Sequence, residues 1–167
     1  MNKRRAVAFT GPSNSGKTTL IVKIAESFIN EHSLEVSIIK HDPKDKAQFD
    51  VARKDSYKFS ATGAEVIVAS PTRTTYFSQR RSTLDEMVTM LGDFDILLVE
   101  GLRDLPLVRI GVFRGVFDET YLPYLDALAV DESVDIEKYN LPKTLEVLDL
   151  NNTQEIINWI LQNGKEI

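Results

Sequence analysis

The feature that most constrains this chain is the segment of residues 11–18, with the sequence GPSNSGKT. It fits the phosphate-loop pattern G-x-x-x-x-G-K-[ST], in which glycines let successive backbone N–H groups point at one anion. The apolar residues 6–9 before it predict a short buried strand. The residues from Thr19 to about Asn30 predict a helix whose N-terminus adds partial positive charge at the same place. This order of strand, loop and helix predicts a nucleoside triphosphate site.

The loop residues have predicted roles at the phosphates. Lys17 is expected to reach the β- and γ-phosphates and to be catalytic, and the Thr18 hydroxyl is expected to ligate Mg²⁺. The residues predicted to bind the nucleotide around the loop are Gly11, Pro12, Ser13, Asn14, Ser15, Gly16, Lys17, Thr18 and Thr19.

A second candidate is the acid that ends an apolar run, residues 96–99, and precedes Gly101. A phosphate loop needs an acid at the end of a neighbouring strand to hold Mg²⁺ directly or through water. We therefore predict Glu100 as a metal-site and catalytic residue, with a solvated strand-end carboxylate as the alternative. Asp95 has the same charge but stands at the other end of the run.

Strand-like and helix-like segments alternate without a repeat or linker, which predicts a three-layer α/β fold: a mostly parallel sheet with helices on both faces. We expect one nucleotide-binding domain over residues 1–167. Strands are predicted at about 6–9, 35–40, 65–70, 74–77, 95–101, 108–113, 127–130 and 145–148. Helices are predicted at about 19–30, 53–62, 84–91 and 153–162, with Ser82 as a candidate N-cap of the third.

Composition narrows the classes of function. The net charge of −5 argues against a broad nucleic-acid surface. With no cysteine, disulfides and thiol chemistry are excluded. No apolar run has the length of a membrane span, and the stretch after the basic N-terminal residues is too short for a signal peptide. We therefore expect a cytoplasmic protein.

A long polar loop from His41 to about Asp50 follows the second strand, and its length suggests a function. Asp50 is predicted to position water or to act on Mg²⁺ through a water. The alternative is a solvated loop with balanced charges. His41 is a candidate for contact with phosphate or a partner.

The sequence constrains the choice between a guanine and an adenine nucleotide less strongly than it does the phosphate site. The N-K-x-D sequence that many guanine-specific phosphate-loop proteins use is absent from the chain. Asp131 follows a late apolar run and is the acid in a comparable place. It is either a guanine-binding residue or a simple strand-end aspartate, and the sequence leaves both readings open.

The motifs together resemble the molybdopterin-guanine dinucleotide biosynthesis protein B family over nearly the whole chain. The spacing of Lys-His, Lys-Asp-Ser and Val-Glu-Gly is more specific than the phosphate loop alone. The matching segments are residues 11–18, 36–41, 49–50, 54–56, 63–64, 97–101 and 129–132.

The resemblance implies a protein that binds GTP with Mg²⁺ and hydrolyses it slowly. It also implies a role beside the molybdenum cofactor guanylyltransferase, which joins GMP to molybdopterin, with molybdopterin itself as a further candidate ligand. A homodimer is implied too, and the apolar segments 74–77 and 108–117 would suit its interface. Where the family often has histidines after Lys-His, this chain has residues 42–44, Asp-Pro-Lys, and Arg53 stands where a glycine is usual.

Two alternatives to a slow GTPase remain. One is a small-molecule kinase that uses ATP and phosphorylates an acceptor near residues 54–58; an arginine-rich lid would favour it. The other is a binding adaptor in which nucleotide occupancy sets the affinity for a partner. The arginines that would form a basic rim for another phosphate-bearing ligand are Arg80, Arg81, Arg103, Arg109 and Arg114.

Overall fold

The structure, a computed structural model, describes residues 4–167. The chain divides into two compact units, the first of residues up to 41 and from 91 to 167, and the second of residues 42–90. In chain order the elements are β1 (Arg5–Thr10), α1 (Lys17–Asn30), β2 (Val36–Lys40), α2 (Asp55–Ser60), β3 (Val66–Ala69), β4 (Thr74–Phe77), α3 (Leu84–Leu91), β5 (Ile96–Glu100), β6 (Arg109–Phe113), β7 (Ala127–Val130), β8 (Glu146–Asp149), α4 (Thr153–Asn163) and β9 (Lys165–Glu166).

The first unit is built on a seven-stranded sheet with the order β2-β5-β1-β6-β7-β8. These six strands are parallel, and β9 adds a short antiparallel pairing to the start of β1, where Arg5 lies opposite Glu166. All six carboxyl ends therefore lie at one edge of the sheet. Ligands of parallel sheets bind at that edge, so this edge positions the site.

Apolar layers cover both faces of this sheet. Leu20, Ile24 and Phe28 recur on one side of α1 and are at most 3% exposed, as their spacing predicts. They share a core cluster with Ile156 and Ile160 of α4. On the opposite face Phe113, Phe117 and Leu128 pack with residues of a 3₁₀ helix, Glu119–Tyr124. The three-layer α/β fold predicted from the sequence is confirmed.

The second unit contains α2, a two-stranded antiparallel sheet of β3 and β4, and most of α3. Ile67 lies opposite Tyr76 in this hairpin, and the two side chains are 67% and 37% exposed. Residues 42–90 are all described, and none of their apolar side chains is buried. The unit therefore lacks an apolar core of its own.

The start of α3 differs from the prediction. Thr83, rather than Ser82, caps the helix: its Oγ1 accepts from the Glu86 N–H at 3.3 Å, and Glu86 Oε2 accepts from the Thr83 N–H at 2.8 Å. This reciprocal pair is a capping box, which needs a Glu three residues after the cap. The residue three after Ser82 is Asp85, so the prediction of Ser82 was wrong by one position. Within residues 4–167, no helix is both long enough and apolar enough to cross a membrane.

Candidate nucleotide-binding site

The loop between β1 and α1 has a backbone that only its glycines allow. Gly11 has φ 144° and Gly16 has φ 96°, values in the left-handed region that L side chains rarely adopt. A Cβ atom on Gly11 would lie 2.3 Å from the carbonyl oxygen of Val112 in β6. The loop therefore approaches the neighbouring strand too closely for any other residue. Asn14 also has a positive φ, 64°, a conformation that asparagine tolerates.

Lys17, the first residue of α1, folds back over this loop. Its Nζ donates to the carbonyl oxygens of Gly11, at 3.1 Å, and Pro12, at 2.6 Å. Burial lowers the pKa of Lys17, Glu100 acts in the opposite direction, and Lys40 lowers the pKa further. The ammonium group is therefore held at the centre of the loop, where phosphate oxygens would favour its charged form.

Glu100, at the carboxyl end of β5, receives two partners on one oxygen. Thr18 Oγ1 donates to Glu100 Oε2 at 3.2 Å, and Lys40 Nζ lies 2.9 Å from the same oxygen. The Glu100 side chain is only 15% exposed. The structure thus brings together the acid and the hydroxyl that the sequence assigned to Mg²⁺.

Lys40 is a site residue that the sequence analysis missed. It ends β2 and lies directly opposite Glu100 in the parallel register of β2 and β5. The available signal was that both residues end apolar strands, since parallel strands place their carboxyl ends at one edge. His41, which follows it, donates its N–H to the Glu100 carbonyl oxygen at 2.9 Å and lies against Gly101.

A cavity of about 440 Å³ opens over these groups and is large enough for a nucleotide-sized ligand. Its lining contains most of the predicted loop residues together with the strand-end acid: Ser13, Asn14, Gly16, Lys17, Thr18, Thr19 and Glu100. The predicted residue Ser15 is buried, and its Oγ is without a hydrogen-bond partner among the described residues.

The oxygen donors of this cavity fit a magnesium ion. Mg²⁺ prefers oxygen ligands and usually keeps several waters or phosphate oxygens beside one or two carboxylates. Thr18 and Glu100 supply a hydroxyl and a carboxylate on the same side of the cavity. Between residues 4 and 167 no group of three or more His, Asp or Glu side chains is placed to hold a metal, so phosphate and water would complete the coordination.

Asp131 follows β7, two strands from β1, and its carboxylate is engaged by protein groups. Arg114 Nη1 lies 3.1 Å from Asp131 Oδ2. The Ser133 N–H donates to Oδ1 at 3.1 Å, and the Ser133 hydroxyl donates to the same oxygen. The hydrogen bond from the Ser133 side chain is the main cause of a lowered pKa of Asp131, and Arg114 adds to the effect.

Asp50 belongs to the second unit. Its Oδ1 accepts from the Val51 N–H and from Ser56 Oγ, both at 2.9 Å, while Oδ2 is buried without a hydrogen-bond partner in the part of the chain that the structure describes. The carboxylate therefore holds the chain before α2. Its role in positioning water stays a prediction.

Two arginines of the predicted basic rim, Arg109 and Arg80, are engaged by groups of the protein itself. Arg109 is 5% exposed and donates from Nη2 to the carbonyl oxygens of Leu102 and Leu105, both at 3.2 Å, so it stabilises the chain after β5. Arg80 forms ion pairs with Glu65 and Glu86 inside the second unit.

The expectation that segment 108–117 forms a subunit interface is also corrected. Ile110, Val112 and Phe113 are fully buried, and Phe117 is 2% exposed. These side chains fill the core on both faces of the sheet, so they are not available to a partner. Of the other apolar residues of the segment, Val108 is half-buried and Val116 is 71% exposed.

Comparison with known proteins identifies the family. The family model for molybdopterin guanine dinucleotide synthesis protein B, MobB, matches residues 6–131, well over half of the chain. The chain belongs to the MobB family. The matched span includes the phosphate loop, Lys40, Glu100 and Asp131.

Individual MobB relatives agree with this assignment. A molybdopterin-guanine dinucleotide biosynthesis adapter protein from Haemophilus influenzae is 31% identical over 95% of this chain and 89% of its own length. A putative adapter protein of the same pathway from Methanocaldococcus jannaschii is 29% identical over 60% of this chain, and the match spans 42% of that relative. The crystal structure of Bacillus subtilis MobB shares the fold with a TM-score of 0.74 at 22% identity, covering 96% of this chain and 98% of that one.

Arg53 has an unusual backbone conformation. Arg53 has φ 78°, the left-handed conformation that a glycine adopts without cost. An arginine adopts this conformation at a cost of about 1 kcal/mol. The chain before α2 thus contains a turn at an arginine whose backbone conformation is one that glycine favours.

Proposed function

We propose that this protein is a GTP-binding adapter in molybdopterin-guanine dinucleotide synthesis. It binds GTP with Mg²⁺ at the phosphate loop and assists the guanylyltransferase that attaches GMP to molybdopterin. The observation that carries the proposal is the convergence of Lys17, Thr18 and Glu100 on one cavity. The choice of guanine is supported by the family, whose description names a guanine dinucleotide.

The residues divide the work at the triphosphate. The backbone N–H groups of residues 13–18 and the Lys17 ammonium would hold the β- and γ-phosphates. Thr18 and Glu100 would hold Mg²⁺, which supplies charge neutralisation of the phosphate oxygens when bound. We propose slow hydrolysis, with Asp50 as the candidate for positioning water, so that the nucleotide-bound state persists long enough to meet a partner.

Calorimetric titration of GTP and ATP, with and without Mg²⁺, tests this function. GTP is expected to bind at least about tenfold more tightly than ATP, a difference of about 1.4 kcal/mol. Glu100→Gln is expected to remove most of the Mg²⁺ dependence, and Lys17→Ala to weaken nucleotide binding in either condition. Equal binding of both nucleotides, or preference for ATP, would favour the small-molecule kinase instead.

The partner is tested separately. Purified guanylyltransferase should be retained by the immobilised wild-type protein in the presence of GTP. It should not be retained by Lys17→Ala, whose phosphate loop is impaired. Retention that does not depend on nucleotide would indicate that the protein acts as a scaffold and that nucleotide does not control its binding to the partner. Molybdopterin is tested as a ligand by the same titration.

A homodimer is also proposed, and the second unit supports it. Ile67 and Tyr76 form an exposed cross-strand pair, and Phe59 is 59% exposed. Exposed apolar groups of this kind are common at protein interfaces. Sedimentation equilibrium of wild-type protein and Ile67→Lys tests this: the variant is expected to be monomeric at concentrations where the wild type is dimeric.

A further inference from the structure

The loops that follow β6 and β7 are joined by a small polar network. Arg114 pairs with Asp131 Oδ2, and the Gly115 N–H donates to Ser133 Oγ at 2.7 Å. The Ser133 hydroxyl donates onward to Asp131 Oδ1. Both carboxylate oxygens of Asp131 therefore already have partners within the protein.

The two side chains of this ion pair differ in their exposure to solvent. The Asp131 side chain is 7% exposed, whereas that of Arg114 is 49% exposed. Three donors already occupy the Asp131 carboxylate, which has about four acceptor positions, and its side chain is largely buried, so a base has little access to it. Separating a buried carboxylate from its cation would also be costly. The arginine is the member that a ligand meets first.

Arg114 lies directly against the phosphate loop. A Cβ atom built on Gly16 would be 3.2 Å from Arg114 Nε, and 3.9 and 4.0 Å from its Cδ and Cζ. The guanidinium thus crosses the residue immediately before Lys17, in the space that the missing side chain of Gly16 leaves. Arg114 therefore lies beside the candidate nucleotide cavity, of which Gly16 is part.

The position of Arg114 in the sheet indicates which part of the nucleotide it meets. Glu100 and Lys40 end β5 and β2, on one side of β1, and supply the groups suited to phosphate and metal. Arg114 follows β6, on the other side of β1. Its charge is balanced by Asp131, so what it offers a ligand is a flat guanidinium plane, which stacks well on a base.

We propose that Arg114 contacts the nucleotide by stacking on its base, and that Asp131 is a positioning residue acting through Arg114 rather than on the base. The inference rests on the proposed function, because it requires a nucleotide at the phosphate loop. It chooses a third role for Asp131, beside the guanine-binding and simple strand-end alternatives of the sequence.

The test is a titration of GTP, ATP, XTP and inorganic tripolyphosphate, each with Mg²⁺, against the wild type, Arg114→Ala, Arg114→Lys and Asp131→Asn. Arg114→Ala is expected to weaken the binding of GTP, ATP and XTP by a similar factor, about tenfold. The affinity for tripolyphosphate should not change. Arg114→Lys, which keeps the charge without the plane, should lose nearly as much. Asp131→Asn should weaken the binding of all three nucleotides alike, by roughly threefold. Added to Arg114→Ala, it should reduce the affinities little further, because both residues act through the same contact.

Direct reading of the base by Asp131 would give a different pattern. A carboxylate accepts from the guanine N1 and N2 protons, whereas an asparagine amide can donate to the xanthine O2. Asp131→Asn would then weaken the binding of GTP alone and strengthen the binding of XTP, and this result would overturn the inference. Tripolyphosphate weakened together with the nucleotides would also overturn it, because Arg114 would then act as a charge on the phosphates.

The matched control is another arginine–aspartate pair at the opposite edge of the sheet. Arg4 lies 2.7 Å from Asp93, just before β1 and β5 begin, and both Arg4→Ala and Asp93→Asn should leave all four affinities unchanged. If wild-type protein binds no nucleotide, the proposed function fails and the inference with it. If the wild type binds GTP and both Arg114 variants do so equally well, only the inference fails.

Discussion

At the scale of single residues, Lys17 and Lys40 crowd two ammonium groups around Glu100. Lys17 is bound to loop carbonyl oxygens, and Lys40 holds the oxygen of Glu100 that also receives Thr18. Each group that a metal nucleotide would use thus has a protein partner in its place. Ligand binding exchanges these partners, so it is expected to be sensitive to pH and to Mg²⁺ in ways that single substitutions separate.

The first prediction concerns the pH dependence of nucleotide affinity. Burial lowers the pKa of Lys17, and phosphate oxygens raise it again in the complex because they favour the ammonium. Affinity should therefore be constant below the lowered pKa and fall as pH rises through it, with one proton taken up per nucleotide. Calorimetry between about pH 7 and about pH 10 in two buffers of different ionisation enthalpy measures this. Lys17→Arg is expected to bind more weakly but without this slope, and a wild-type slope that begins only where ordinary lysines titrate contradicts the prediction.

The second prediction concerns Lys40. Lys40→Met removes the cation that competes for Glu100, so half-maximal GTP binding should require roughly threefold less Mg²⁺, the scale of an exposed ion pair. Lys40→Arg keeps a competing charge and should resemble the wild type. Weaker GTP binding by Lys40→Met at every Mg²⁺ concentration would instead make Lys40 a phosphate ligand.

At the scale of elements, the capping of α3 gives a test of local structure. Thr83→Ala removes the side-chain half of the capping box, which should destabilise the helix by about 1 kcal/mol. Amides of Leu84–Leu91 should then exchange with solvent roughly fivefold faster in hydrogen-exchange measurements. Ser82→Ala is the matched control, since Ser82 was the predicted cap and should have little effect. Equal effects of the two substitutions would show that the box does not stabilise α3.

The elements that the sequence predicts best are those with one strong local cause. The helix α1 and the strands β1 and β5 follow from buried apolar patterns, and Lys17, Thr18 and Glu100 follow from a contiguous motif and a strand end. Lys40 needed the register between β2 and β5, which no local pattern contains. The separation of β3 and β4 into a sheet of their own was also not predicted, because both strands are apolar enough to resemble members of the main sheet. The two-residue β9 is too short to leave a pattern and pairs with β1 at the other end of the chain.

At the scale of the whole molecule, the two units differ in how their apolar side chains are placed. The interior of the first unit is formed by strands that are buried along nearly their whole length, such as β5 and β6. In residues 42–90, all of which are described, burial is confined to Ser60. Local stability follows the number of buried apolar contacts, so the two units should open with different free energies.

Hydrogen exchange of the intact protein tests this difference. Amides of β3 and β4 are expected to exchange at least about a hundredfold faster than those of β1 and β5 in dilute protein. If self-association covers the hairpin, its protection should rise with protein concentration, while that of β1 stays constant. Protection of β3 and β4 equal to that of β1 at every concentration would contradict the prediction.

The connection between β2 and β5 has a consequence for how such proteins diversify. These strands are parallel neighbours, so the chain must cross over between them, and a single helix usually suffices. Here the crossover contains the entire second unit, and none of the apolar side chains of residues 42–90 is buried. Because substitution of an exposed side chain opens no cavity, we expect the length and surface of this segment to vary among MobB proteins more than the buried strands β1, β5 and β6 do.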